Sequence, residues 1–318
     1  MVDDVKQWVT ALAGTSIALT GVWPMQALAQ AQYPERLIRA VVPFATGGTN
    51  DITARMITPH LAKTLGQQVV VENRPGAAGN IGAEMVVKSP PDGYTLLTVP
   101  ATHAVTPSIQ AKMPFDTLRD FTYLALIAEA PFILVVHPAL PAKNMREFYA
   151  LAKARSGRIT MSSSGTGTSN HLAGELYQSM TGVKFIHVPY KGSGPALIDL
   201  MGGQVDILFD QLSSSFNFIQ AGKLKALAVT TLKRASALPA VPTLDESGLK
   251  GFDRSGWYGM LVPANTPKEI IARLNAAIVA ILVAPEMADG MRKQGLEPST
   301  STPEEFGAFI RTEIAQNM

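Results

Sequence analysis

The stretch VVPFATGGTNDITAR, Val41–Arg55, passes from a β-branched apolar run through a proline and two glycines into a helical pattern. Gly47 and Gly48 permit backbone angles that other residues rarely adopt, and they leave room for a ligand beside the main chain. A cap for the helix is expected from residues 49–51, which are Thr, Asn and Asp. Several N–H groups of the first helical turn then stay unpaired and point outward at the positive end of the helix dipole. The pattern therefore predicts an anion site.

A single loop of this kind is also what an ordinary strand-to-helix turn with a good cap looks like. The stretch lacks the second glycine and the Lys-Ser/Thr pair of a nucleotide-binding P-loop. It also lacks the glycine spacing of a dinucleotide fingerprint. The prediction of an anion site therefore depends on a second loop.

That second loop is MSSSGTGTSNHLAGEL, Met161–Leu176, which repeats the plan of strand, glycines, hydroxyl residues and helix. The helix is predicted to begin near Ser169, with Thr168 or Ser169 as its cap. The residues expected at the ligand in this loop are Ser164, Gly165, Thr166, Gly167, Thr168 and Ser169. If two sheets face each other across a hinge, both helix starts aim at one cleft outside the carboxyl ends of the strands.

Composition excludes several classes of function. A chain of 318 residues, 47% of them hydrophobic, is long enough for about two domains. A net charge of +2 without clustered Lys and Arg argues against a nucleic-acid partner. The absence of cysteine excludes a thiolate nucleophile, a disulfide framework and cysteine-ligated zinc. A hydrolase is poorly supported, because there is no G-x-S-x-G elbow and no H-x-x-x-H pair.

The N-terminus predicts export. Trp8–Val22 is an apolar run of about signal-peptide length, too short to span a bilayer comfortably, and an A-x-A cleavage pattern follows in ALAQ. Residues 1–29 are therefore predicted as a signal peptide, cleaved between Ala29 and Ala31, and the mature protein as periplasmic. Two acidic residues near the start depart from the usual positive n-region, and a buried N-terminal helix is the alternative.

From Tyr33 onward, short β-branched runs alternate with helical patterns, which predicts an α/β fold with mostly parallel sheets. Phe121–Pro138 is too long for one strand and is interpreted as two strands in succession passing between domains. Leu224–Thr231 is interpreted as the return of the chain. The expected division is a discontinuous lobe one (33–128 and 232–318) and an inserted lobe two (129–231), joined by two crossing strands.

Three helix features follow from local sequence. A helix predicted over Ile52–Leu65 contains Pro59, which should kink or split it. A later helix is predicted with Thr266 as N-cap and Pro267 as its first residue. The same opening recurs at Thr302.

Seven segments together resemble one known family: PFATGGTNDITAR, VVVENRPGAAGNIGA, PPDGYTLL, GTGTSNHLAGELY, VPYKGSGPAL, GGQVDILFD and VPTLDESG. They are similar to the tripartite tricarboxylate transporter substrate-binding proteins, also called the Bug family, in order and over essentially the whole mature chain. The resemblance implies a two-lobed periplasmic binding protein of Venus-flytrap type (type II-like), each lobe a mostly parallel sheet flanked by helices. It also implies delivery of a small carboxylate to a permease pair of one large and one small membrane subunit.

The resemblance further implies where the ligand is held. The family binds a ligand carboxylate through main-chain amides and bridging waters supplied by the two loops. On this chain the implied residues are Phe44, Thr46, Gly47, Gly48 and Asp51, and Ser164 through Ser169. No catalytic residue, metal or cofactor is implied, and a monomer is expected.

Other candidates have alternative interpretations. His103 ends the third strand and is either a ligand contact or a satisfied surface group. Tyr190 and Gly192 are placed near the cleft by the resemblance, whereas Lys191 is expected to be a solvated surface residue with a possible role in charge steering. Asp210 either meets an amino or hydroxyl group of the ligand or caps the next helix.

Two further predictions concern side chains near these loops. His171 opens the second helix, where the dipole disfavours an imidazolium, so a neutral ring is predicted. Trp257 and Tyr258 are predicted to pack in the core and hinge rather than against the ligand.

Two functions remain open besides a hydrolase. One is capture of a carboxylate for transport, and the other is ligand sensing for a two-component sensor kinase. The ligand itself is a dicarboxylate, an aromatic carboxylate or an acidic amino acid; the sequence does not distinguish them.

Overall fold

The computed structural model describes residues 33–317, so the predicted signal peptide lies outside the described residues. Ten strands form one continuous mixed sheet, and ten α-helices flank it within the described range. The strands are β1 (Ile38–Val42), β2 (Val69–Asn73), β3 (Thr95–Pro100), β4 (Phe121–Val136), β5 (Ile159–Ser163), β6 (Phe185–Pro189), β7 (Ile207–Gln211), β8 (Lys225–Val229), β9 (Ser255–Pro263) and β10 (Glu297–Pro298). The helices are α1 (Thr49–Leu65), α2 (Asn80–Val87), α3 (Thr102–Ile109), α4 (Met145–Ala154), α5 (Ser169–Thr181), α6 (Ser193–Met201), α7 (Leu212–Gln220), α8 (Lys268–Leu282), α9 (Pro285–Lys293) and α10 (Pro303–Asn317).

The strand order is β2-β1-β3-β9-β4-β7-β5-β6, with β8 and β10 also paired to β4. On one side, β1 pairs in parallel with β2 and β3, while β9 runs antiparallel to β3 and β4. On the other side, β5 pairs in parallel with β6 and β7, and β7 and β8 run antiparallel to β4. The result is a two-lobed α/β fold, as predicted, with β4 shared between the lobes.

The long run Phe121–Pro138 differs from its prediction. It forms a single strand, β4, rather than two strands in succession. The strand stays continuous because its first part pairs with β9 as far as Pro131, and its second part pairs with β7 and β8 from Phe132 onward. It does pass from one lobe to the other, as predicted for the run as a whole.

Each lobe has its own hydrophobic core, and the change occurs within β4. Ala130 packs in the core of the first lobe, whereas Phe132 packs in that of the second. Leu244 and Phe252 also belong to the second core, and β8 pairs with the second half of β4. The chain returns to the strands of the first lobe at Ser255, where β9 begins. The lobe boundary therefore stays a proposal, and this packing favours placing the return near Ser255 rather than at residue 232.

Pro59 does not split α1, which is one helix of 17 residues. Pro59 is exposed, while Ile57, Leu61 and Leu65 on the other face are buried in the first core. This packing stabilises the helix across the missing N–H.

The two predicted caps near the C-terminus have different outcomes. Thr302 forms the capping box with Glu305: the Thr302 Oγ1 accepts from the Glu305 N–H, and the Glu305 carboxylate accepts from the Thr302 N–H. Thr266 instead donates to the Pro263 carbonyl, and α8 begins at Lys268 with Pro267 as its N-cap.

Among residues 33–317, no single helix is long and apolar enough to cross a membrane. Helices α8 and α9 meet the length and composition only as a pair, bent by 68°.

Candidate functional site: the cleft between the lobes

The first loop brings the start of α1 to the cleft without a side-chain cap. Gly48 is the N-cap, and none of residues 49–51 caps the helix, contrary to the prediction. The Asp51 carboxylate accepts from the Gly47 N–H at 3.1 Å and is held by Arg55 and Asn73. Because Asp51 turns back to the loop, the first-turn N–H groups of α1 have no side-chain acceptor.

The second loop begins α5 at Ser169, as predicted, again without a side-chain cap. The Thr168 hydroxyl does not cap the helix, since it lies 2.6 Å from both the Gly165 carbonyl and Asn170 Oδ1. His171 Nδ1 accepts from the Gly167 N–H at 3.1 Å, so this nitrogen carries no proton. Burial lowers the pKa of His171, with Glu175 opposing the shift, which agrees with the predicted neutral ring.

The two loops face each other and touch the opposite lobe. The Ala45 N–H donates to the Lys191 carbonyl at 2.9 Å. Thr49 Oγ1 lies 2.7 Å from Ser213 Oγ. The Ser169 N–H donates to Thr102 Oγ1 at 3.2 Å. Both helix starts therefore border one interlobe space.

The wider part of that space is a cleft of about 580 Å³ with walls from both lobes. Its lining residues are Phe44, Gly76, Ala77, Ala78, Gly79, Ile109, Gln110, Ser164, Gly165, Thr166, Gly167, His171, Leu172, Pro189, Tyr190 and Lys191. Sequence reasoning missed the turn 76–79 and the pair Ile109 and Gln110. The glycine-rich turn could have been found, because it follows β2, whose carboxyl end lies beside that of β1. Ala77 and Ala78 have positive φ angles of 48° and 53°, a strained backbone of the kind found at binding sites.

The narrower part is a cavity of about 30 Å³ between the starts of α1 and α5, which shares Phe44 and Ser164 with the wide cleft. It has room for a water-sized group. It is lined by Phe44, Gly48, Thr49, Asn50, Pro100, Thr102, Ser164, Thr168, Ser169, Asn170, Ser193, Gln211 and Tyr258.

Two residues of this lining, Asn50 and Tyr258, carry buried polar atoms without a hydrogen bond of ordinary geometry: Asn50 Oδ1 and the Tyr258 hydroxyl. Their residues are 5% and 1% exposed. The Thr49 side chain lies close enough to the Tyr258 hydroxyl to interact with it, although not at ordinary hydrogen-bond geometry, and the Thr49 hydroxyl is also bonded to Ser213. Unpaired buried polar atoms are rare in folded proteins and call for a bound polar group. Tyr258 was expected to be packing only, and its place in the cavity depends on β9 lying beside β3 and β4.

Six of the predicted site residues line neither the cleft nor the cavity, namely Thr46, Gly47, Asp51, His103, Gly192 and Asp210, and two of these, His103 and Asp210, are buried away from both. His103 is buried against Phe115 and Phe121, with ring centroids 5.9 and 5.2 Å away, and burial lowers its pKa to about 4. Asp210 is fully buried and accepts from three serine hydroxyls, those of Ser193, Ser214 and Ser215. Ser214 and Ser215 lie in the first turn of α7, but this helix has Gln211 as its N-cap and no side-chain cap, so Asp210 binds side chains of the turn without capping the helix as predicted. Burial raises the pKa of Asp210.

The remaining predicted residues divide between wall and rim. Tyr190 and the neighbouring Lys191 line the wide cleft. Thr46 and Gly47 are exposed at the rim, and Gly192 packs on Ala45 across the lobes. Only Gly47 has the positive φ expected of both glycines, at 84°; Gly48 has φ −83°. Within residues 33–317, no three His, Asp or Glu side chains are grouped so as to hold a metal ion.

Two α/β lobes with a cleft at the carboxyl ends of their parallel strands define a two-lobed binding protein of the periplasmic type. Residues 53–318 match the model of the tripartite tricarboxylate transporter family receptor, and the chain belongs to this family. This is a family of solute-binding receptors that act outside the cytoplasm.

Relatives and solved structures agree with the family. BugT of Bordetella pertussis is 36% identical over 306 residues, which cover 96% of this chain and 93% of BugT. The R. palustris protein Rpa4515, solved with adipate, is 37% identical with a TM-score of 0.87, covering 89% of this chain and 95% of its own. MatC from Rhodopseudomonas palustris, with bound malate, is 32% identical with a TM-score of 0.85, covering 90% and 98%.

Proposed function

We propose that this protein binds a small carboxylate between its two lobes and delivers it to the permease subunits of a tripartite tricarboxylate transporter. One observation carries the proposal. A small cavity between two uncapped helix starts is lined by Asn50 and Tyr258, and the buried Asn50 Oδ1 and Tyr258 hydroxyl have no hydrogen bond of ordinary geometry within the protein.

Electrostatics favours an anion at this place. Helices α1 and α5, of 17 and 13 residues, both direct their N-termini at the cavity. Each end carries roughly half a positive charge in its unpaired N–H groups. We assign the ligand carboxylate to the narrow end, held directly or through a water, and the rest of the ligand to the wide cleft. The adipate of Rpa4515 and the malate of MatC support a carboxylate as the ligand class.

We also propose that the protein binds its ligand without catalysing a reaction on it. Within residues 33–317, the pair that resembles a nucleophile and base is Ser163 and His187, whose Oγ and Nε2 are 2.6 Å apart. Ser163 is fully buried, and its Oγ is also bonded to the Gly165 N–H and carbonyl. It lies outside the linings of the cleft and the cavity, so it does not meet a ligand there. Export by the predicted signal peptide would bring the protein to its permease.

The test is calorimetric titration of the ligand-stripped mature protein with a panel of mono- and dicarboxylates, beside the variant Tyr258→Phe. Removing only the unpartnered hydroxyl is expected to weaken carboxylate binding about tenfold or more. Stability without ligand should change little, because the Tyr258 hydroxyl makes no hydrogen bond of ordinary geometry within the protein.

Tyr177→Phe is the matched control. Tyr177 is also fully buried with an unpartnered hydroxyl, but it lies in the core of the second lobe and lines neither the cleft nor the small cavity. Its removal should leave affinity as it is. Equal losses in the two variants, or no binding by any carboxylate, would refute the proposed site.

A further inference from the structure

We infer that the ligand is a carboxylate whose body is largely apolar and carries no ammonium group, and that the cleft discriminates against amino acids. This inference rests on the proposed function, because it concerns the part of the ligand beyond its carboxylate. Three separate features of the residues that line the wide cleft support it.

The first feature is apolar surface from both lobes. Phe44 and Ile109 come from the first lobe, and Leu172 and Tyr190 from the second. Ile109 is 48% exposed although it is a large aliphatic side chain, and it reaches across to Gly167 of the other lobe. Apolar side chains that face each other over a cleft favour an apolar body between them.

The second feature is the lack of an available carboxylate. None of the residues that line the wide cleft or the small cavity is Asp or Glu. The carboxylates nearby already have internal partners, namely Asp51 with Gly47, Arg55 and Asn73, Asp199 with Tyr190, Asp210 with three serines, and Glu175 with His171. An ammonium group in this cleft would lose water without gaining an anionic partner, which is unfavourable.

The third feature is the sign of the charge that is present. Lys191 is the lysine of the lining, and within the described chain its ammonium makes no hydrogen bond or ion pair. Its charge adds to the positive helix ends. The cleft therefore repels a ligand ammonium and tolerates a second carboxylate. At about 580 Å³, it also lies within the range of roughly 300–1,000 Å³ typical of small-molecule sites.

The test uses pairs of probes that share a carbon skeleton and differ by one ammonium group. Glutarate is compared with glutamate, and 3-phenylpropanoate with phenylalanine, by calorimetric titration of the mature protein. We expect at least one deaminated member to bind ten times more tightly than its amino acid. Amino acids that bind as well as, or better than, their partners would overturn the inference and leave the proposed function intact. No binding by any carboxylate, malate included, would overturn both.

A charge variant tests the same point from the protein side. Gln110 lines the cleft, and its Oε1 accepts from Asn80 at 2.6 Å, a bond that Gln110→Glu can keep. The new carboxylate should improve the affinity for the amino acid of each pair relative to its deaminated partner by at least threefold. Gln68→Glu is the control, since it adds the same charge beside β2 at the opposite end of the sheet, where the Gln68 carbonyl bonds to Ile38. An unchanged ratio in Gln110→Glu would overturn the inference.

Discussion

Four of the six side chains with unpartnered buried polar atoms among residues 33–317 show that the consequence of such an atom depends on its surroundings. Asn50 and Tyr258 line the cavity between the lobes, where a ligand or water can pair with them. His103 and Tyr177 lie in hydrophobic surroundings instead. For His103 and Tyr177, burial without a hydrogen bond costs desolvation free energy, and no bound ligand can reach these atoms to offset that cost.

His103 should make the protein sensitive to acid. Burial lowers its pKa to about 4 in the folded state, whereas an exposed histidine titrates near 6.5. The folded state thus disfavours the proton that the unfolded chain accepts. The contribution of neutral His103 to the free energy of unfolding is fully present above pH 6.5. About 3 kcal/mol of it is lost as the pH falls towards 4.

The variant His103→Phe checks this expectation, because a phenyl ring can stack on Phe115 but cannot take up a proton. Urea unfolding between pH 7.5 and pH 4.5 should show a smaller loss of free energy of unfolding in the variant than in the parent. The slope with pH is the readout, since the new ring also changes packing at neutral pH. An identical slope in both proteins would mean that His103 does not titrate as its burial indicates.

At the scale of the element, the cleft depends on how closely three loops approach. The turn that opens α6 packs against the first loop, and a Cβ atom on Gly194 would overlap the Thr46 carbonyl oxygen of the other lobe. Gly194 has an ordinary helical backbone, so the absence of a side chain serves the contact between lobes rather than the conformation. Sequence reasoning did not single it out.

Gly194→Ala is therefore expected to weaken ligand binding by about tenfold or more without unfolding the protein. Alanine is the better helix former, so α6 itself should not suffer. The added methyl group prevents the lobes from approaching as closely, which withdraws one helix start from the ligand. Titration with the best-binding carboxylate gives the affinity, and thermal unfolding without ligand reports on the fold.

Gly202→Ala is the control for this variant. Gly202 follows the C-terminal end of the same helix, and a Cβ there would meet no atom of the first lobe. If both glycine variants bind like the parent protein, the approach of Gly194 to Thr46 has no part in binding.

Local signals predicted the strand-to-helix loops well, and tertiary contacts account for the failures. The start of α5 at Ser169 and the capping box at Thr302 follow from residues within one turn. The absence of a cap on α1 does not, because Asp51 is drawn to Arg55 and to Asn73 at the end of β2. The length of β4 likewise depends on partners that come later in the chain.

At the scale of the whole molecule, two cores are joined where β4 changes partners at Pro131 and Phe132. The Thr230 hydroxyl lies 3.0 Å from the Phe132 carbonyl and donates to the Arg254 carbonyl. These two contacts hold the segment after β8 and the segment before β9 beside the position where β4 changes partners. The α/β class and two lobes were predictable from alternating patterns. The return that we propose near Ser255 was not, because it depends on the packing of residues 232–254 in the second core, through buried side chains such as Leu244 and Phe252.

If the ligand enters by separation of the lobes, joining them covalently should close the site. Thr49 and Ser213 are buried on opposite lobes with their side-chain oxygens 2.7 Å apart. The parent chain has no cysteine, so the double variant Thr49→Cys/Ser213→Cys has only one disulfide to form. Oxidised without ligand, it should bind carboxylate at least a hundredfold more slowly than in its reduced form.

Stopped-flow fluorescence or calorimetry with and without dithiothreitol measures the difference, and the reduced variant shows the effect of the substitutions alone. The oxidised protein should also unfold at a higher temperature, because the cross-link restricts the unfolded chain by on the order of 4 kcal/mol. Since reductant has no thiol to act on in the parent protein, its binding should not change. Equally fast binding by the oxidised and reduced variants would show that the lobes need not part, and the ligand would then have to enter through the open mouth of the wide cleft.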